Sequence, residues 1–92
     1  MQQSGVATVY FDVATIYFDG LCEPRNPGGW ACWGWVAVSG GGDEVAHAFG
    51  CVGSGPGMTN NVAEYEALVQ VLTWLSYQGF RGVALRGDSQ LV

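Results

Sequence analysis

Basic residues are nearly missing from this 92-residue chain, which has three arginines, no lysine and eight acidic residues for a net charge of −5. This composition counts against an ordinary phosphate-neutralising surface, which needs clustered lysine and arginine. Apolar runs near the roughly 20 residues that span a bilayer are also missing, so we expect no membrane partner. Any nucleic acid would have to be held by metal ions, backbone amides or neutral donors.

Paired cysteine motifs are missing as well. Cys22, Cys32 and Cys51 show no CxxC spacing and no matching histidine cluster, which argues against a zinc site. An odd cysteine count in a chain with four tryptophans predicts a packed core with reduced, mainly structural thiols. Reduced thiols are typical of a cytoplasmic protein, which is the location that we expect.

The first apolar stretch occurs twice. VATVYFD is followed at once by VATIYFD, and only the second copy continues into a glycine, Gly20. Each copy is typical of a strand that ends in a carboxylate, but their offset is odd, so Asp12 and Asp19 would face opposite sides of one strand. We predict that residues 1–12 are an extension and that Asp19 is the functional aspartate. In the alternative register, the first copy replaces the second and Val13 stands in the place of Gly20.

The rest of the pattern predicts a sheet with one helix. Further strands are predicted at residues 30–38, 44–51 and 82–88. A period of 3.6 residues predicts a helix at 62–77, with Asn61 as its N-cap and Glu64 at the capping-box spacing. The order β-β-β-α-β indicates an α/β domain with a mixed sheet of three antiparallel strands followed by a parallel one.

Two glutamates on the predicted helix are expected to face different ways. With Tyr65 at the centre of the apolar stripe, Glu64 falls at the edge of that stripe and Glu66 falls on the polar arc. Glu64 is therefore expected to look toward the sheet. The alternative is that Glu64 serves only to complete the capping box with Asn61.

Three carboxylates are predicted to meet at one edge of the sheet. Asp19 ends the first strand, Glu64 lies near the helix start and Asp88 ends the fourth strand, and open α/β sheets bind ligands at such an edge. The carboxylates repel one another unless a cation bridges them, and oxygen ligands with an open site suit Mg²⁺ or Mn²⁺. A pair of these ions supports in-line attack of water on a phosphodiester. The residues thus indicate metal-dependent phosphoryl chemistry without a named substrate.

Three motifs in sequence order resemble the type 1 ribonuclease H family, most of all its archaeal-type branch. They are YFDGLCEPRNPGG at 17–29, TNNVAEYEAL at 59–68 and GDSQLV at 87–92. Residues 13–92 are therefore interpreted as the N-terminal portion of a ribonuclease H-like domain, truncated before its last strand and helices. The family's fourth metal-binding aspartate has no counterpart in the chain.

The resemblance implies a two-metal endonuclease that hydrolyses the RNA strand of RNA–DNA hybrids, with Asp19, Glu64 and Asp88 as catalytic metal ligands. It assigns contacts with the hybrid to Cys22, Asn26, Asn60, Asn61 and Gln90. Neutral side chains of this kind distinguish RNA by its 2′-hydroxyls. The alternative is a catalytically silent module of the same fold that binds nucleic acid or a protein. An uncovered sheet face or edge would also favour self-association.

Overall fold

In the computed structural model, residues 13–78 and 82–87 are described, and they form a mixed sheet with one helix on one face. The elements are β1 (Val13–Glu23), β2 (Gly28–Ser39), β3 (Glu44–Gly55), α1 (Asn60–Gln78) and β4 (Ala84–Gly87). The strand order is β3-β2-β1-β4, with β1 and β4 parallel and the other neighbours antiparallel. The predicted fold class is confirmed. Within these residues, no helix has the length and apolar character that a membrane span requires.

The core lies between α1 and the sheet face that α1 covers. Ile16 of β1 and Val71 of α1 are fully buried there. Trp35 of β2 packs against Trp74 of α1 with ring centroids 4.9 Å apart, in a tilted pair that contributes beyond its buried area. Burial of these side chains holds the helix on the sheet.

The helix faces the sheet with a different stripe from the predicted one. Its buried residues are Ala63, Ala67 and Val71, whereas Tyr65, predicted to be the centre of the stripe, is 68% exposed. Small side chains four residues apart let the helix backbone approach the strands closely. Tyr65, Val69 and Leu72 are exposed on a second stripe, whereas Trp74 and Leu75 pack against the core.

Three predicted strands are longer in the structure, and the first does not end at Asp19 but continues to Glu23. The third strand, predicted to end at residue 51, continues to Gly55. Residues 53–55 pair with residues 28–31 of β2, which itself starts two residues earlier than predicted. Since each strand supplies backbone partners for the other, both elements lengthen together.

Two of the three cysteines form a disulfide, so the prediction of reduced thiols is wrong for them. Cys32 on β2 lies opposite Cys51 on β3 and is bonded to it. This pairing depends on the register of the hairpin, which the 19-residue separation does not reveal. Cys22 is a free, buried thiol, as predicted. The cytoplasmic location stays a prediction.

The other face of the sheet, which we call the open face, has no helix on it among residues 13–78 and 82–87. Phe49 of β3 is 79% exposed on this face. A cavity of about 600 Å³ lies here, and its lining includes Tyr17, Asp19, Leu21 and His47. His47 is exposed and pairs with Glu44 at 2.9 Å, so it is a surface histidine rather than a core one.

Candidate metal centre and nucleic-acid interface

The two carboxylate oxygens of Asp19 differ in their surroundings. It lies on β1, and its Oδ1 accepts a hydrogen bond of 2.8 Å from the backbone N–H of Gly20. Its Oδ2 is buried and has no hydrogen-bond partner among the described residues. A buried carboxylate oxygen without a partner is costly, and a metal ion would satisfy it.

Gly20, within β1, brings this strand against the start of α1. A Cβ atom at this position would collide with the backbone of Ala63 and Glu64 and would lie 2.7 Å from the Cβ of Ala63. Only glycine allows this approach. The contact places the elements that carry Asp19 and Glu64 side by side, as the sequence predicted.

The helix cap differs from the prediction in a way that concerns Glu64. The N-cap is Thr59, whose Oγ1 accepts a 3.1 Å hydrogen bond from the N–H of Val62. The carbonyl of Thr59 also accepts from the N–H of Ala63 at 3.1 Å. The predicted cap at Asn61 is wrong, since Thr59 already satisfies the helix start. Glu64 therefore lies one turn inside the helix, beyond the capping-box position.

Glu64 borders a second cavity, on the helix side of the sheet edge. This cavity of about 410 Å³ is lined by Phe18, Asn61, Glu64, Tyr65, Leu68 and Gly87. Asp19 lines the open-face cavity instead. The two carboxylates thus lie on adjoining elements but border different cavities, and among the described residues no three potential metal-ligating side chains form a group. Glu66 instead accepts a 2.8 Å hydrogen bond from Gln70 along the helix.

The parallel strand β4 leads toward the same edge. Its last described residue, Gly87, pairs with Phe18, which directly precedes Asp19 on β1. The predicted parallel neighbours are therefore confirmed. Asp88 and Gln90 lie outside the described residues, as does Asp12.

Three of the predicted substrate-binding residues meet at the junction between the β1–β2 loop and the helix start. The Oδ1 of Asn60 accepts a 2.7 Å hydrogen bond from the N–H of Cys22, and the N–H of Asn60 donates to the Oδ1 of Asn26 at 3.1 Å. The thiol of Cys22 is buried and donates to the carbonyl of Arg25 at 3.0 Å. Asn26 and Asn60 are exposed, whereas the Cys22 side chain supports the junction from inside. Substrate contact by these residues stays a prediction.

Asn61 is also exposed and borders the cavity of Glu64. Three of the asparagines predicted to bind substrate therefore lie around the start of α1. The predicted interface residues that the structure describes thus cluster at one corner, where the β1–β2 loop meets the start of α1.

One exposed aromatic residue at this corner escaped the sequence analysis. Alternation along β2 favours core packing for the tryptophans, and Trp35 is indeed buried. Trp30 is 55% exposed, because it lies at the start of β2 beside the loop. Trp30 directly follows two glycines, Gly28 and Gly29, and this feature of the sequence distinguishes it from the other tryptophans.

Comparisons with known proteins agree with this architecture. A curated relative, ribonuclease HI of Halobacterium salinarum (strain ATCC 700922 / JCM 11081 / NRC-1), is 49% identical over 76 residues, which are 83% of this chain and 36% of the relative. The crystal structure of RNase H1 from the same halophilic archaeon matches with a TM-score of 0.67 at 46% identity, over 86% of this chain and 55% of the other. No family model matches the chain.

A second solved relative is LC11-RNase H1, isolated from compost by a metagenomic approach. It matches with a TM-score of 0.71 at 34% identity, over 88% of this chain and 57% of the other. LC11-RNase H1 has also been solved in complex with an RNA/DNA hybrid, and that structure matches with a TM-score of 0.67. The chain thus spans between about a third and slightly more than half the length of these relatives.

The fold and these likenesses define the class of the molecule as a partial ribonuclease H-like domain, with a mixed four-stranded sheet and one helix. More specifically, the chain is similar to a curated ribonuclease HI and to an archaeal RNase H1, and the likeness covers only part of each relative.

Proposed function

We propose that this chain is part of an endonuclease that hydrolyses the RNA strand of RNA–DNA hybrids with divalent metal ions. The observation that carries the proposal is the buried, unpartnered Oδ2 of Asp19, which lies on β1 four residues before its end. The orphaned carboxylate oxygen fits a hard cation such as Mg²⁺, with Mn²⁺ as the second choice. The similarity to a ribonuclease HI and to a protein solved with a hybrid supports the substrate.

Three carboxylates of this chain would hold the metal ions: Asp19, Glu64 and, from its place in the sequence, Asp88. When bound, a pair of such ions activates water and stabilises the leaving oxygen of an in-line displacement. Glu64 is free for this role because Thr59 caps the helix. Gly20 sets the approach of the two elements that carry Asp19 and Glu64.

The substrate would be held by neutral donors. Asn26, Asn60 and Asn61 are exposed around the helix start, where amide groups suit 2′-hydroxyls and base edges in a minor groove. This mode of binding accommodates the net charge of −5, because it does not depend on a basic surface. Metal ions at the carboxylates would offset their repulsion of the phosphates.

The test uses a hybrid labelled in its RNA strand, with Mg²⁺ added and then removed with a chelator. We expect metal-dependent cutting that falls by roughly a hundredfold or more in Asp19→Asn, since a direct ligand matters at least as much as its supporting groups. Calorimetric titration of Mg²⁺ should show weaker binding in the same variant. Asp43→Asn, in the exposed β2–β3 turn, is the matched control and should change neither measurement.

The second candidate function is a catalytically silent module with the same fold. It is favoured by the absence of a three-ligand metal group within residues 13–78 and 82–87. Hybrid binding without cutting, unchanged by Asp19→Asn and by Mg²⁺, would establish this second function and rule out the first.

A further inference from the structure

Trp30 is the feature that the proposed catalytic centre does not use. Trp30 is 55% exposed to solvent, whereas Trp35 on the same strand is 7% exposed. A large aromatic residue left in solvent marks a contact site more often than a charged or small one does.

The strand register places Trp30 on the same face of the sheet as Asp19. Trp30 pairs with Glu23, and Glu23 lies four residues beyond Asp19 on β1. An even separation keeps both positions on the open face. At about 3.3 Å per residue, Trp30 lies roughly 13 Å from Asp19, a distance of about four base pairs along a duplex.

The surface around Trp30 is held in place by the loop that precedes it. The N–H of Gly29 donates to the carbonyl of Arg25 at 2.9 Å, and the N–H of Gly28 donates to the carbonyl of Met58 at 2.9 Å. Asn26 joins the same loop to the helix start. Arg25, one of three cations in the chain, is exposed on this loop.

We propose that Trp30, together with Arg25, forms a second contact with the RNA–DNA hybrid, about four base pairs from the bond that is cut. The inference rests on the proposed function. The face of an indole packs against sugars in a wide, shallow groove, while its N–H donates to an oxygen of the backbone. The guanidinium of Arg25 supplies a charge complementary to phosphate. Trp30 is thus a positioning residue that sets where the hybrid lies relative to Asp19.

A hybrid fits this surface better than a protein partner does, because the loop that precedes Trp30 is hydrogen-bonded to the helix start through Asn26 and Asn60. The same loop presents a cation, although the chain is acidic as a whole. An apolar protein partner would instead favour Phe49, which is more exposed and lies on the edge strand of the same face. Phe49 is therefore the matched control.

The experiment measures binding of a fluorescently labelled hybrid of about 12 base pairs, long enough to reach both positions. The Asp19→Asn background keeps the RNA strand intact. We expect Trp30→Ala to weaken binding by about tenfold or more and Trp30→Phe to retain most of the affinity. Phe49→Ala should bind as the parent does. Tryptophan emission should be quenched by the hybrid in the parent and much less in Trp30→Phe.

A map of the cleavage sites adds a measurement that would stay unchanged if Trp30 had only a structural role. In the Asp19 protein, Trp30→Ala should spread the cut sites on a long hybrid, because the distance from Trp30 no longer selects one position. Unchanged affinity and unchanged cut sites in Trp30→Ala, with hybrid binding intact in the parent, would overturn the inference and leave the proposed function standing. A parent chain that does not bind the hybrid at all would overturn both. Equal losses of hybrid affinity in Trp30→Ala and Phe49→Ala would also overturn the inference, because they would indicate a general apolar contact.

Discussion

At the scale of single residues, Gly20 decides which copy of the repeat forms β1. The geometry leaves no room for a Cβ between this residue and the backbone of Glu64. In the alternative register, Val13 would occupy this place, and its branched side chain would push α1 away from the sheet. The first aspartate of the repeat is followed by valine and the second by glycine, so only the second fits the contact.

The prediction at this scale is that even alanine, with the smallest side chain, destabilises the fold when it replaces Gly20. Gly20→Ala should lower the free energy of unfolding by about 1–3 kcal/mol, because the added methyl group meets helix backbone that cannot give way locally. It should also weaken Mg²⁺ binding, since the displaced helix start carries Glu64.

Urea denaturation and calorimetric titration measure the two effects. Gly57→Ala is the control, because a Cβ there meets nothing within 4 Å. Equal stability of the two variants would contradict the role given to Gly20.

At the scale of elements, α1 is defined by its cap and by its small-residue face. Thr59 supplies the cap, and Ala63 and Ala67 supply the close packing. The motif of Thr59, Asn60 and Asn61 offers three residues of types that cap helices well, so the sequence allowed several starts. Loop contacts chose among them, since Asn60 is occupied by Cys22 and Asn26.

The prediction for this element concerns its two threonines. Thr59→Ala should lower the free energy of unfolding by about 1 kcal/mol, the usual cost of losing an N-cap. Thr73→Ala is the matched control. Its hydroxyl donates to the carbonyl of Val69 at 2.8 Å within the helix and is exposed, so alanine there should be neutral or slightly stabilising. Thermal unfolding followed by circular dichroism checks both, and a larger loss in Thr73→Ala would refute the cap assignment.

At the scale of the whole molecule, two apolar surfaces face solvent in the described residues. One is the open face, with Phe49 at its edge, and the other is the outer stripe of α1, with Tyr65 and Leu72. Contiguous apolar surface of this kind is typical of an interface. The net charge of −5 opposes contact between two copies of the chain.

Self-association is therefore predicted to depend on salt. Raising NaCl from about 0.05 M to about 0.5 M screens the repulsion and should shift the chain from monomer toward dimer. Sedimentation velocity at both concentrations measures the change. Phe49→Asp should weaken the dimer, whereas Tyr77→Asp, which is 83% exposed at the far end of α1, should not. A monomer at both concentrations would disprove the prediction.

The sequence by itself determined the order of strands and helix, whereas the preference for Asp19 over Asp12 and for Glu64 over Glu66 stays a prediction from it. These features depend on local chemistry: apolar alternation, helical period and the residue that follows each aspartate. The rest of the functional prediction rests on the resemblance of three motifs to ribonucleases H. The comparisons agree with that resemblance, and the two-metal mechanism stays a prediction.

The tertiary structure decided what depends on register and on packing between elements. The disulfide of Cys32 and Cys51 follows from the alignment of β2 with β3, which no local pattern encodes. The buried face of α1 follows from its packing on the tryptophan-rich sheet. Ala63 and Ala67 face the sheet there, whereas the sequence pattern predicted Tyr65 in that place. The exposure of Trp30 follows from the position at which β2 leaves the loop. In each case the deciding partner is distant along the chain, so short-range periodicity could not reveal it.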